Sequence, residues 1–238
     1  MEKETFKNIL TQQLLKIDIK ISEEQKEEFY QYMQKLLLEN EKTNLTAITD
    51  ENEIVVKHFV DSLTINSYIK ESQRIIDVGT GAGFPGMPIA IYRKDVTVSF
   101  LDSLNKRIEF LKKVTDINSN NNTELIWGRA EDVARMPEYR EMFDVAVSRA
   151  VAPMNVLVEY LLPFVKVGGI CICMKGPNYQ EEMINFKTVV EKLGGKVEKV
   201  DRFDVLNLNR NIVIVKKVKT TDKAYPRKAG MPRKRPLC

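Results

Sequence analysis

Residues 74–90 read RIIDVGTGAGFPGMPIA, and three kinds of signal meet in that stretch. Ile75, Ile76 and Val78 make a short apolar run suited to a buried strand. Gly79, Gly81, Gly83 and Gly86 allow a tight turn with open backbone, and Pro85, Met87, Pro88, Ile89 and Ala90 begin a helix. Strand, glycine turn and helix start, in that order, cradle a nucleotide-bearing ligand at the carboxyl edge of a sheet.

By spelling, residues 81–86 (GAGFPG) satisfy the G-x-G-x-x-G pattern of dinucleotide-binding domains, so an oxidoreductase has to be weighed. Asp77 argues against it. A carboxylate at the end of the first strand is expected to face the ligand, where a pyrophosphate would repel it. Pro85 also lacks one of the N–H donors that a phosphate needs at a helix start. S-adenosylmethionine carries a sulfonium and an ammonium beside one carboxylate and has no phosphate, and an acid suits it. The methyl donor is therefore the expected ligand, with a dinucleotide or a bare glycine turn as the alternatives.

A chain of 238 residues exceeds one typical domain and falls short of two, which predicts one α/β domain with an attached helical segment. The expected partition is a helical cap over 1–70, a catalytic domain over 71–218 and a basic tail over 219–238. No apolar run approaches the roughly 20 residues that span a bilayer, and residues 1–10 (MEKETFKNIL) lack the apolar centre of a signal peptide. A cytoplasmic protein with no membrane partner is expected. Cys171 and Cys173 alternate along one apolar run, and Cys238 stands last. A C-x-C pair without clustered histidines reads as reduced core thiols, so no metal is expected.

The formal net charge of +4 is unevenly spread. Residues 216–238 hold nine Lys or Arg against Asp222 alone, a balance of +8 that leaves residues 1–215 at −4. In the tail YPRKAGMPRKRPLC (225–238), proline and glycine forbid a long helix, and the charges repel one another. Such a segment is usually disordered. It also suits phosphates, which would make binding salt-dependent, with Tyr225 available to stack on a base.

The first seventy residues read as helices. Phe6, Ile9, Leu10, Gln13, Leu14 and Ile17 recur at helical spacing, and Ser22 with Gln25 has the form of a capping box. Asp50 with Glu53 caps a third helix, which carries the single histidine, His58, with Asp61 placed to orient it. Beyond the glycine loop, residues 96–101 form a second strand ending in Asp102, near the spacing at which an acid grips ribose hydroxyls; a helix cap is the alternative for the same residue. Residues 123–127 give a third strand. It leads to Ala130 and Glu131, which either meet the base of the cofactor or merely start a solvated helix. Residues 143–147 give a fourth strand with Arg149 at its carboxyl end. A helix is expected over 153–165, a turn at Gly168-Gly169, a buried strand over 170–174 leading to Lys175, and a helix over 179–193. Residues 196–203 and 211–218 form a final antiparallel pair. Residues 118–122 read as a surface loop.

Taken together, DVGTGAGFPGMPIA (77–90), LDSLNKRIEFL (101–111), GRAED (128–132), SRAVAP (148–153), NLTAI (44–48) and KHFVDS (57–62) closely resemble the 16S ribosomal RNA guanine-N7 methyltransferase G family, formerly glucose-inhibited division protein B. The resemblance spans nearly the whole chain. It implies a class I S-adenosylmethionine-dependent methyltransferase fold, a Rossmann-like seven-stranded sheet with its last strand antiparallel, and a guanine of 16S rRNA in the small ribosomal subunit as acceptor. Carried over by position, Gly79, Phe84, Ala130, Glu131 and Arg149 contact the donor, and Asp102 matches the ribose-binding acid of the wider superfamily; Asp77 and Gly81 complete the expected donor set. His58, Lys175, Arg227, Lys228, Arg233, Lys234 and Arg235 are the candidates for contact with RNA, and a monomer is expected. Guanine N7 has a free lone pair at neutral pH, so no general base and no catalytic side chain of that kind is expected. Holding sulfur, methyl and nitrogen in line can contribute on the order of 7–11 kcal/mol.

Overall fold

The computed structural model describes residues 1–117, 122–149, 151–177, 179–203, 206 and 208–238. Helices open the chain: α1 (Lys3–Leu15) and α2 (Glu23–Thr43). The capping box forms as its spacing predicts. Ser22 Oγ accepts from the Gln25 amide at 3.1 Å, and the Gln25 side chain accepts from the Ser22 amide at 2.9 Å. Phe6, Leu10 and Leu14 of α1 pack on Phe29, Tyr32, Met33 and Leu36 of α2, all fully buried, and burial of each such apolar side chain contributes about 1.5–3 kcal/mol. The helix capped by Asp50 follows as α3 (Glu51–Ile54), a π-turn over Val55–Val60 and α4 (Asp61–Leu63) in one run. The wide turn, which no periodicity reveals, carries His58.

Alternation along β1 (Arg74–Val78) then divides the core in two. Ile75 joins the cluster under the N-terminal helices, together with α5 (Gly86–Tyr92) and α6 (Asn105–Thr115). Ile76 and Val78 join the opposite cluster, under α7 (Ala130–Val133), α8 (Met154–Leu161) and α9 (Phe186–Lys192). Between the clusters lie β2 (Thr97–Asp102), β3 (Thr123–Trp127), β4 (Phe143–Arg149), β5 (Val165–Lys175), β6 (Gly195–Phe203) and β7 (Arg210–Lys217). The sheet order is β3-β2-β1-β4-β5-β7-β6. β7 pairs antiparallel with both β5 and β6, and the first five strands pair in parallel. Strand order reverses between β1 and β4, the place where such sheets bind ligands.

Four expectations need correction. Gly168 and Gly169 do not turn the chain. They lie inside β5, where Gly168 takes φ +91° and the register with β4 shifts between Phe143 and Val145. A Cβ on Gly169 would stand 2.5 Å from the Asp144 carbonyl oxygen, so the pair serves a bulge. The helix expected over 179–193 breaks into a 3₁₀ turn (Tyr179–Met183) and α9, because Asn185 adopts φ +58° between them. The helix expected over 153–165 ends at Leu161, passes through a 3₁₀ turn (Leu162–Phe164) and yields Val165 to β5. The tail is ordered and packed, ending in α10 (Met231–Lys234) with Pro232 and Leu237 buried. Of the loop expected over 118–122, residues 118–121 lie outside the described residues. No described helix is long and apolar enough to cross a membrane.

Candidate functional site

The glycine loop is braced from below by Asp77. Its Oδ2 accepts from Thr80 Oγ1 at 2.7 Å and from the Gly86 amide at 2.8 Å, while Oδ1 is buried with no partner among the described residues. A side chain at Gly86 is impossible there, since a Cβ would meet Phe100 at 2.6 Å and Asp77 Oδ2 at 2.8 Å. Asp77 thus corrects its expectation: it shares the α5 side of the sheet with Ile75 and does not face the cavity. Burial pushes its pKa up to about 6, against the hydrogen bonds from Thr80 and Gly86.

This arrangement closes the start of α5 to a phosphate. The Gly86 amide is taken by Asp77, the Met87 amide bonds to the Gly83 carbonyl at 2.7 Å, and Pro88 has no N–H. The first turn of α5 has no donor left for a pyrophosphate. Above the loop, a cavity of about 500 Å³ opens along the carboxyl ends of β1 to β4, within the usual range for a small-molecule site. Gly79, Gly81, Phe84, Asp102, Ala130, Glu131 and Arg149 all line it.

Asp102 is 2% exposed and does not cap α6. Its Oδ1 accepts from the Leu104 amide at 2.9 Å, and its Oδ2 accepts from the Gly81 amide and Arg107 Nη1, each at 3.0 Å. The glycine loop and the end of β2 are locked together by that carboxylate. Glu131 is buried, not solvated, and its Oε1 accepts from the Gly230 amide of the tail at 2.8 Å.

On the other side of the cavity, Arg149 ends β4 in a fixed pose. Nη1 donates to Asp61 Oδ2 at 2.8 Å and to the Lys57 carbonyl at 3.0 Å, Nη2 contacts His58 Nδ1 at 3.0 Å, and the guanidinium lies 4.9 Å from the centroid of Phe84. Asp61, fully buried, also takes Arg210 Nε at 2.8 Å on Oδ1. His58 stacks on Phe84 with centroids 4.3 Å apart, and its Nε2 lies 2.9 Å from Thr46 Oγ1. Burial, reinforced by the Arg149 charge, lowers the His58 pKa to about 3, so the ring is neutral.

Several sequence candidates lie elsewhere. Lys175, expected to meet RNA, is buried, donating to the Ala152 carbonyl at 2.9 Å and pairing with Glu182 at 2.6 Å. Neutral, buried His58 offers no charge to a phosphate. Arg227 is held by Glu159, which is itself fully buried and accepts from the Arg227 amide, Nε and Nη2 at 2.9, 2.9 and 2.7 Å. Lys228, Lys234 and Arg235 remain exposed; Arg233 is exposed too, yet lines the cavity and donates to the Val151 carbonyl at 3.0 Å. Residues that sequence reading missed also line it, among them Thr46, Arg107, Tyr160 and Gly230. Tyr32 of α2 is another omission, its hydroxyl donating to the Ala82 carbonyl in the loop at 2.6 Å. NLTAI was the one available signal for Thr46. Among the described residues, no group of three or more His, Cys, Asp or Glu is placed to hold a metal.

A sheet in this order, with one antiparallel strand and a cavity over the glycine loop, defines the class I S-adenosylmethionine-dependent methyltransferase fold. Solved structures share it: P. horikoshii TYW2 in complex with MeSAdo, at TM-score 0.52 and 16% identity over 66% of this chain and 61% of that one, and a TehB-like SAM-dependent methyltransferase from Corynebacterium glutamicum, at 0.51 and 15% over 66% and 86%. The chain belongs to the GidB family, rRNA small subunit methyltransferase G, whose profile matches residues 25–213. Proteins named ribosomal RNA small subunit methyltransferase G are 49% identical in Clostridium perfringens SM101, over 93% of this chain and 94% of that protein, and 45% identical in Alkaliphilus metalliredigens QYMF, over 97% and 98%.

Proposed function

We propose that the protein transfers the methyl group of S-adenosylmethionine to N7 of one guanine in the 16S rRNA of the small ribosomal subunit. The observation that carries the donor assignment is the occupied first turn of α5, with its Gly86 amide taken by Asp77, its Met87 amide by the Gly83 carbonyl and no N–H on Pro88, which leaves that turn without a phosphate donor and places a carboxylate beneath a cationic ligand. A positive charge over the loop would favour the ionised form of Asp77, whose Oδ1 has no partner among the described residues. Asp102 holds the ribose hydroxyls, Ala130 and Glu131 border the base, and Gly79, Gly81, Phe84 and Arg149 form the walls around the methionyl part. When bound, the donor supplies an electrophilic methyl on a sulfonium.

The chain has no proton to remove, because N7 attacks through a lone pair that is free at neutral pH. Its residues position, and they exclude water. Arg149 stays in place through Asp61, and His58 and Arg149, in contact with each other, both pack against Phe84. The acceptor must leave its stack to reach the cavity. In the division of labour we infer, residues 1–70 supply the acceptor-side wall, 71–218 the donor fold and 219–238 both a wall and an exposed basic edge. The protein works as a monomer in the cytoplasm, where small subunits are found.

Incubation with labelled donor and unmethylated small subunits, followed by mapping, should label a single guanine at N7. Labelling of a small molecule or protein instead would refute the assignment. Converting Lys228, Lys234 and Arg235 to Gln should flatten the slope of log affinity for RNA against log salt concentration, by about 0.7–0.9 for each phosphate left without its cation. Donor affinity measured by calorimetry should not change.

A further inference from the structure

A hydrogen-bond chain of fixed direction ends at the cavity on Thr46. A guanidinium has donors only, so the 3.0 Å contact between Arg149 Nη2 and His58 Nδ1 makes Nδ1 the acceptor. The proton of the neutral ring is therefore on Nε2, which donates to Thr46 Oγ1 at 2.9 Å. The Ile48 amide donates to the same oxygen at 3.1 Å. A hydroxyl has two lone pairs and one proton. Both lone pairs are occupied, and no described residue accepts the proton from Thr46.

The direction of this chain does not reverse. Asp61 fixes the guanidinium, and the pKa of His58 near 3 keeps the ring neutral through the physiological range. Thr46 lines the same cavity as Phe84 and Asp102. Its anchor Arg149 ends β4, whereas Asp102 ends β2 and Glu131 follows β3, so the sheet order places Thr46 on the side away from the base of the donor. An acceptor approaching the methyl group enters from that side.

We propose that the Thr46 hydroxyl donates to O6 of the acceptor guanine and so selects that base, an inference that rests on the guanine-N7 reading above. Guanine presents two acceptors, N7 and O6, on one edge; adenine presents N7 beside an amino donor. A hydroxyl with both lone pairs filled cannot accept from that amino group. Adenine then meets donor against donor, and a site built this way rejects it strongly.

Thr46→Val removes the proton at nearly constant volume, and Thr46→Ser keeps it. With small subunits and labelled donor, kcat/KM on guanine should fall about tenfold to a hundredfold in Thr46→Val and stay within about threefold of wild type in Thr46→Ser, with the Kd for S-adenosylmethionine unchanged in both. Substituting 2-aminopurine, which keeps N7 and lacks O6, at the mapped guanine should cost the unaltered protein a similar factor and cost Thr46→Val nothing further. A Thr46→Val protein as fast as wild type on guanine overturns the assignment, and so do two penalties that multiply or a loss of donor affinity. If the unaltered protein labels a base other than guanine, the functional reading falls and takes the inference with it; labelled guanine with a silent Thr46→Val overturns the inference alone.

Discussion

Asp77 and His58 pull stability in opposite directions as pH changes. Folding raises the Asp77 pKa from 3.8 to about 6, so the folded chain binds more protons than the unfolded chain between those values. Its contribution is complete below about 3.8 and is lost as pH rises through about 6. Asp77→Asn should remove that loss, so the difference in unfolding free energy between variant and wild type should shift in favour of the variant by on the order of 2 kcal/mol from pH 4 to pH 8. Denaturant titrations at both pH values would read it, and a constant difference would contradict the buried, half-partnered carboxylate. For His58 the folded pKa drops from 6.5 to about 3, so its contribution is present above 6.5 and is lost as pH falls through that window. The ring is already neutral at pH 6.5, so kcat/KM should show no break there that vanishes in His58→Asn. Neither shift is legible in the sequence. Asp77 reads as facing a ligand because it ends a strand, although its period-two partner Ile75, which goes to the α5 side, already places it beneath the loop.

At the scale of elements, the tail is where sequence and structure part most. Its proline, glycine and charge composition reads as disorder, yet the contacts that order it are ones no pattern displays. Arg140 donates to the Tyr225 and Thr221 carbonyls at 2.9 and 2.8 Å, Arg135 donates to the Pro226 carbonyl, and Lys217, fully buried, pairs with Glu141 at 2.9 Å. One signal was available in Glu159, an acid inside the apolar run MNVLVEYL of α8, which requires a cation. Arg227→Ala leaves that carboxylate buried and unpaired, at a cost of about 3–5 kcal/mol that falls first on tail docking. Because Gly230 and Arg233 form part of the cavity wall, donor affinity should drop in the same variant and tryptic cleavage of the tail should speed up. Adding Glu159→Leu should restore docking. If Arg227→Ala binds donor as wild type does, the tail has no part in the site.

Across the whole molecule, the inner strands were legible because parallel strands buried on both faces read as dense apolar runs; the edge strand β3 is only half-buried, yet its bounds match the sequence expectation residue for residue. The donor loop was legible because glycine and proline punctuate it. The rest of the cavity wall was not, since it is made by a π-turn, a loop and residues 230–233 meeting in space. Tyr32 shows how tightly these parts are joined: Tyr32→Phe removes only the bond to the Ala82 carbonyl and should cost about 1 kcal/mol of stability, with a matching loss of donor affinity in calorimetry. A variant with unchanged affinity would detach the N-terminal helices from the loop.

The cavity draws Leu45 and Thr46 from near one end of the chain and Gly230 and Arg233 from near the other. Contacts of such long sequence separation form late, after local helices and neighbouring strands have consolidated. Refolding from denaturant should therefore recover the helical signal before it recovers the capacity to take up ligand, and a stopped-flow trace of ligand uptake should lag behind the circular-dichroism trace.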